Sequence, residues 1–193
     1  MVSGKPTAIV LAAGSSRRMG DRNKLLLRRP SKPMVRIVCE RVLASDCDPV
    51  IVVLGYQHEK VQAALGDLPL TTIVNLNHSA GMATSITAGV EAASMATAGF
   101  LFALGDMPEV TVATYAALVE AFIDANGDAI VVPDHDGRRG NPVIFPQRYR
   151  EQLRALGGDQ GARRILSDSE DRVQRVMVDD PGVCFDVDHP DQL

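Results

Sequence analysis

With 193 residues, 46% of them hydrophobic, the chain is long enough to close an apolar core without disulfides or a structural metal. A net charge of -4 excludes general affinity for nucleic acid or an anionic membrane, and Trp, a base-stacking residue, is absent. Cys39, Cys47 and Cys184 share no ligand or redox spacing, no run approaches the roughly 18 apolar residues of a membrane span, and no signal peptide follows Lys5, so one cytoplasmic domain over residues 1–193 is expected.

Apolar, β-branched runs then alternate with helical periodicity, the pattern of an α/β fold. Residues 7–13 (TAIVLAA) read as a buried strand stopped by Gly14. Residues 33–44 read as a helix, with Pro33 in its first turn and Val35, Val38, Val42 and Leu43 on one face. A strand is expected at 50–54 (VIVVL), a short helix at 59–65, a strand at 71–75 and a longer helix at 82–95. The most continuous apolar strand, 100–104 (FLFAL), ends at Gly105-Asp106, and Thr111 caps a helix over 112–125. Strands at 129–132 and 142–145 flank a polar loop at 134–141. Helices follow at 148–156 and from near Gln160, and strands at 173–178 and 184–187 close the sheet. The order predicts a Rossmann-like three-layer α/β/α sandwich with a mainly parallel sheet and an antiparallel strand.

Ligands of such sheets bind beyond the carboxyl ends of the strands, and the chemically unusual residues fall there. The first strand runs into Leu11-Ala12-Ala13-Gly14-Ser15-Ser16-Arg17-Arg18-Met19-Gly20, followed by Lys24. Gly14 and Gly20 let backbone approach a ligand, successive N–H groups with Ser15 and Ser16 form an anion nest, and Arg17, Arg18 and Lys24 bring charge for a triphosphate. The loop is neither a Walker A motif nor GxGxxG. A solvated basic loop is the alternative, but the position straight after a buried strand favours the anion site.

Asp106 follows a fully apolar strand, where a carboxylate is costly unless paired or metal-bound. It suits magnesium, which takes one or two carboxylates together with phosphate oxygens and waters, and it also suits a turn before Pro108. In Asp186-Val187-Asp188-His189-Pro190, a strand would place Asp186 and Asp188 on one face as further acidic ligands, although Asp-x-Asp before Pro also serves turns. Gly81-Met82-Ala83-Thr84-Ser85 opens a helix whose free N–H groups and Ser85 can read a base or ribose, or simply cap the helix.

Together, LAAGSSRRMG with Lys24, GMATS, LGDMP, RGNPVIF at 139–145, Gly158-Asp159-Gln160-Gly161-Ala162-Arg163 and DVDHP resemble the molybdenum cofactor nucleotidyltransferase family over residues 7–193, and most closely its cytidylyltransferases. Leu-Ala-Ala-Gly is the form associated with CTP, whereas guanylyltransferases tend to show Leu-Ala-Gly-Gly. The resemblance implies transfer of CMP from CTP to the terminal phosphate of molybdopterin, with release of pyrophosphate and transient contact with a molybdoenzyme. It implies a nucleotide site of Leu11, Ala12, Ala13, Gly14, Ser15, Ser16, Arg17, Arg18, Lys24, Gly81, Met82, Ser85 and Asp106, in which Lys24, Asp106 and Arg18 are catalytic. It also implies Mg2+ on Asp106 and Asp188, with Asn141, Gly158, Asp159, Gly161 and Arg163 facing the pterin phosphate. Ala83 stands where Ser is common and His189 where Thr is common; neither is an implied ligand.

The same motifs fit transfer from GTP, or transfer to another small phosphate or a sugar phosphate. A dinucleotide oxidoreductase predicts GxGxxG after the first strand and an acidic residue after the second, where Leu54-Gly55-Tyr56 stands instead. A non-catalytic nucleotide carrier has no need of Asp106, Asp188 and Lys24 together.

Overall fold

A computed structural model describes residues 4–15, 23–29, 31–158 and 161–187. Its strands are β1 (Thr7–Ala12), β2 (Arg28–Arg29), β3 (Lys32–Pro33), β4 (Val50–Leu54), β5 (Thr71–Val74), β6 (Gly99–Leu104), β7 (Ile130–His135), β8 (Arg138–Arg139), β9 (Val143–Pro146) and β10 (Val173–Met177). Its α-helices are α1 (Met34–Leu43), α2 (His58–Leu65), α3 (Met82–Ala92), α4 (Val112–Asp124), α5 (Arg150–Arg154) and α6 (Arg163–Asp168).

The main sheet has the order β10-β7-β9-β6-β1-β4-β5, with β8 on β7, while β2 and β3 form a separate ribbon. All neighbours along that order are parallel except β9, which runs antiparallel to both β6 and β7. An antiparallel strand begins where its parallel neighbours end. Asn141, two residues before β9, therefore lies near the carboxyl end of β6.

Side chains alternate across this sheet as strand geometry requires. Ala8, Val10 and Ala12 of β1 pack with Val38 of α1, Val61 of α2 and Leu118 of α4 on one face. Ile9 and Ala13 pack with Ile86 of α3, Leu153 of α5 and Leu166 of α6 on the other. Each fully buried aliphatic side chain contributes about 1.5–3 kcal/mol, so both layers hold the sheet strongly. Gly89 makes the α3 contact possible, since a Cβ there would stand 2.4 Å from Ile9 Cγ2. Cys39 and Cys47 belong to the first layer, and burial pushes both thiols up to about 12, with the negative charge of Glu40 adding to the effect at Cys39. Neither is a nucleophile near neutral pH.

Helix ends follow local chemistry. The Thr111 hydroxyl accepts from Thr114 N at 3.2 Å, so α4 is capped as its sequence predicts. The expected helix at 82–95 stops at Ala92 because the buried guanidinium of Arg150 takes the carbonyls of Val90, Ala93 and Ser94.

Two expected elements differ. The polar loop at 134–141 contains the end of β7 and all of β8, turned by Asp136 and Gly137 with φ of 51° and 77°. Positive φ at both residues is the requirement of a tight hairpin turn, and Asp-Gly meets it. The strand expected at 184–187 does not form. Asp180 accepts from Gly182 N at 2.9 Å and winds Pro181–Cys184 into a single turn, and residues 185–187 follow without a strand partner. The alternation that put Asp186 and Asp188 on one face is thereby withdrawn: Asp186 is exposed, while Val187 is fully buried.

Candidate active site

The site starts where β1 ends. The carbonyl of Ala13 accepts from Tyr56 N at 3.2 Å, so the turn after β1 lies against the turn after β4. Gly55 permits this approach: a Cβ there would stand 2.7 Å from the Ala13 carbonyl oxygen and 2.7 Å from His78 Cβ. Gly14 is exposed, and a Cβ there would meet no described atom within 4 Å. Crowding by the described residues thus gives no reason for a glycine at that position.

Asn23 fixes the return of the chain. Its buried side chain accepts from Leu25 N at 3.1 Å and donates to the Tyr56 carbonyl at 3.2 Å, which starts a short turn over Lys24–Leu26. Leu25 then enters the core, and Lys24 faces the end of β6. Lys24 Nζ lies 2.6 Å from Asp106 Oδ2, with side chains 15% and 20% exposed.

Asp106 sits on a loop held from several directions. Gly105 N donates to the Leu11 carbonyl at 3.0 Å, keeping the end of β6 beside that of β1. Arg41, on the last turn of α1, donates to the carbonyls of Pro108 and Val110. Asp180 accepts from Thr111 N at 2.9 Å, and Val187 N donates to the Asp106 carbonyl at 3.0 Å. The last bond brings Val187 against the Asp106 loop by a route other than a strand.

The opposite wall is the start of α3. Buried Asn75 donates to Thr84 Oγ1 at 2.8 Å and to Ser85 Oγ at 3.0 Å, while its Oδ1 accepts from Asn77 N at 2.9 Å. These bonds lock the 75–85 turn and leave Gly81 at φ 115°, a conformation that favours glycine. Between the walls lies a cleft of about 350 Å³, lined by Leu11, Ala13, Gly14, Ser15, Lys24, Gly81, Met82, Ser85 and Asp106 among others. His78 and Ser79 also line it and were not anticipated. Ala12 is not among its lining residues, because its side chain belongs to the core.

A second chamber of about 200 Å³ shares Leu11, Met82 and Leu104 with the cleft. Its walls are mainly apolar, with Ile86, Phe102, Val143, Phe145 and Leu166, and Asn141, Gly161 and Arg163 complete them. Gly158 lies outside both cavities and accepts from Ala83 N at 3.3 Å. Ser16, Arg17, Arg18, Gly20, Asp159, Gln160, Asp188 and His189 lie outside the described residues.

A mainly parallel sheet with helices on both faces and a Lys–Asp pair at its carboxyl edge fits a nucleotidyltransferase. The chain belongs to the MobA-like NTP transferase domain family, whose model matches residues 8–174. It is 30% identical over 192 residues to nicotine blue oxidoreductase of Paenarthrobacter nicotinovorans, covering 97% of this chain and 94% of that protein. It is also 30% identical over 193 residues to purine catabolism protein PucB of Bacillus subtilis (strain 168), covering 95% and 92%. Among solved structures, Rv0371c from Mycobacterium tuberculosis H37Rv is similar with a TM-score of 0.83, 26% identity and coverage of 98% of this chain and 95% of that one. No described helix is long and apolar enough to cross a membrane.

Proposed function

We propose that this chain transfers the cytidylyl group of CTP to the terminal phosphate of molybdopterin and releases pyrophosphate. The carrying observation is the Lys24–Asp106 pair at 2.6 Å, placed in the cleft beside an apolar second chamber. The cytosine assignment rests on the Leu-Ala-Ala-Gly form at residues 11–14. The acceptor assignment rests on the motif resemblance and on a chamber whose Phe102 and Phe145 rings suit a flat heterocycle better than a polyhydroxylated sugar. Sugar hydroxyls would lack partners against those walls.

In this reading Leu11 to Arg18 and Lys24 cradle the triphosphate, while Gly81, Met82 and Ser85 border the nucleoside. The pterin lies in the second chamber near Asn141, Gly161 and Arg163. The acceptor phosphate, with a second pKa near ~6, is already mostly ionised at neutral pH and needs no general base. Its oxygen forms a bond to the α-phosphorus of CTP as the bond to the bridging oxygen breaks, and the electron pair leaves with pyrophosphate. Lys24 and the loop arginines offset charge on the leaving group.

Asp106 supplies a hard carboxylate donor facing the cleft, which fits magnesium held jointly with phosphate oxygens and waters. Asp106 and Asp188 would hold the ion, which when bound neutralises phosphate charge. The product then passes from this single cytoplasmic domain to a molybdoenzyme.

A second reading comes from the name of the Paenarthrobacter relative, which aligns over nearly the whole chain. In that reading the chain is an oxidoreductase whose ligand occupies the second chamber. The sequence speaks against a dinucleotide site of the GxGxxG kind, and Gly55 is packed on Ala13 and His78. One experiment separates the two. The protein is incubated with magnesium, molybdopterin and each common nucleoside triphosphate while pyrophosphate release is measured, and a parallel sample follows NADH and NADPH absorbance. Pyrophosphate released with CTP only when the pterin is present supports transfer; oxidation of a nicotinamide without triphosphate consumption overturns it.

A further inference from the structure

We infer that Arg41 is a positioning residue for Asp106, an inference that rests on the nucleotidyl-transfer reading of the site. Arg41 lines neither the cleft nor the second chamber. It reaches across from the last turn of α1 to the loop that leaves β6, and one of its nitrogens, Nη1, donates to the carbonyls of both Pro108 and Val110.

Those two carbonyls flank Glu109, the exposed member of the loop, and both residues that carry them are buried. A buried carbonyl without a donor is costly, so the guanidinium defines where this backbone can run. The remaining tethers act at other points. Gly105 is bonded to Leu11 upstream of Asp106, the Asp106 carbonyl accepts from Val187 N, Thr111 is bonded to Asp180 downstream, and Arg29 pairs with the Glu109 carboxylate at 3.0 Å. Among the described residues, Arg41 is the side chain that bonds the loop backbone at Pro108 and Val110. Losing it frees the backbone two residues after Asp106 while leaving β6 and α4 anchored.

The consequence is specific. Without Arg41 the loop just after Asp106 is less constrained, so Val187 and Lys24 are left to hold the Asp106 carboxylate toward the reacting phosphates, whereas the walls that border the nucleoside are unchanged. Misplacement on the ångström scale is enough to slow a reaction that depends on positioning. Turnover should therefore fall while affinity for the nucleotide is kept.

The test is a double-mutant cycle with Arg41→Ala, Asp106→Ala and the double variant, read by pyrophosphate release from CTP with magnesium and molybdopterin. CTP binding is followed separately by calorimetry. The expected result is a kcat about tenfold or more below wild type for Arg41→Ala, a KM for CTP within about twofold, and less than about a twofold further loss when Arg41→Ala is added to Asp106→Ala. Equal losses in both backgrounds, or an unchanged kcat in Arg41→Ala beside an inactive Asp106→Ala, overturn the inference alone. Full activity in Asp106→Ala overturns the transfer reading as well. If Arg41→Ala does not fold, Arg41→Lys carries the same cycle. It keeps the alkyl stem and the charge but loses the planar guanidinium.

Discussion

Lys24 and Asp106, from the turn after β1 and the end of β6, meet with their charged groups 2.6 Å apart at the carboxyl edge of the sheet. Both side chains are largely withdrawn from water, so each charge offsets the desolvation of the other, and removing one leaves the other poorly compensated. The pair also ties the segment that follows β1 to the carboxyl end of β6.

Asp106→Ala is expected to lower turnover by roughly 100-fold or more while the fold survives, as for loss of a group that acts on developing charge. Pyrophosphate release, alongside circular dichroism to monitor folding, checks this. Activity within a few-fold of wild type would remove Asp106 from the chemistry.

Lys24→Ala is expected to raise the KM for CTP by about tenfold and to lower kcat as well, because a charge-assisted phosphate contact serves both binding and the leaving group. Steady-state kinetics with varied CTP decides the matter. Unchanged values for both constants would place Lys24 outside the triphosphate site.

Arg163→Ala is expected to raise the KM for the pterin acceptor about fivefold and leave that for CTP unchanged, since Arg163 lines the second chamber and not the cleft. The opposite pattern, a weaker CTP site with normal acceptor kinetics, would reverse the assignment of the two cavities.

Asp180 gives a prediction in stability rather than rate. Burial pushes its carboxyl pKa up, but donation from Thr111, Thr114 and Gly182 outweighs this and holds it below the ordinary carboxylate value. A depressed folded-state pKa means that the contribution is fully present above the unfolded value and is lost as pH falls through the folded value. Asp180→Asn should therefore cost about 2–4 kcal/mol near neutral pH. The gap to wild type, measured by urea midpoints, should narrow as pH drops below about 4. A gap that does not change with pH would show that the charge of Asp180 is not what matters.

Much of the architecture was legible because β-branched runs and helical periods rarely mimic each other over full elements. The strand at residues 7–13, the Thr111 cap and the acidic end of 100–104 all follow local rules. The place of β9 between β6 and β7 does not, since strand order is decided by long-range pairing that no local pattern encodes. The segment 184–187 misled for a physical reason: Val183, Phe185 and Val187 alternate like a strand, yet Asp180 winds the chain before it can pair. Asn23 carried a readable signal, an Asn immediately before a turn, and its value emerged only when Lys24 was seen to depend on it. Asn75 and Arg41 act on partners distant in sequence or across a turn, and a residue type alone does not announce such a role.

The central place of β1 has a consequence for how the protein is made. Ala8 pairs with Val50 on one side and with Leu101 on the other. The loop that follows β1 leaves the ribosome early, but its neighbours arrive in instalments: first Gly55, then Asp106, and the second chamber only once Arg163 has been added. High contact order of this kind slows folding and keeps the apolar strands exposed while they wait. A nascent chain that already contains β1 and residues 13–15 still has no cleft, because Gly81, Met82 and Asp106, which help to wall it, are synthesised long after them.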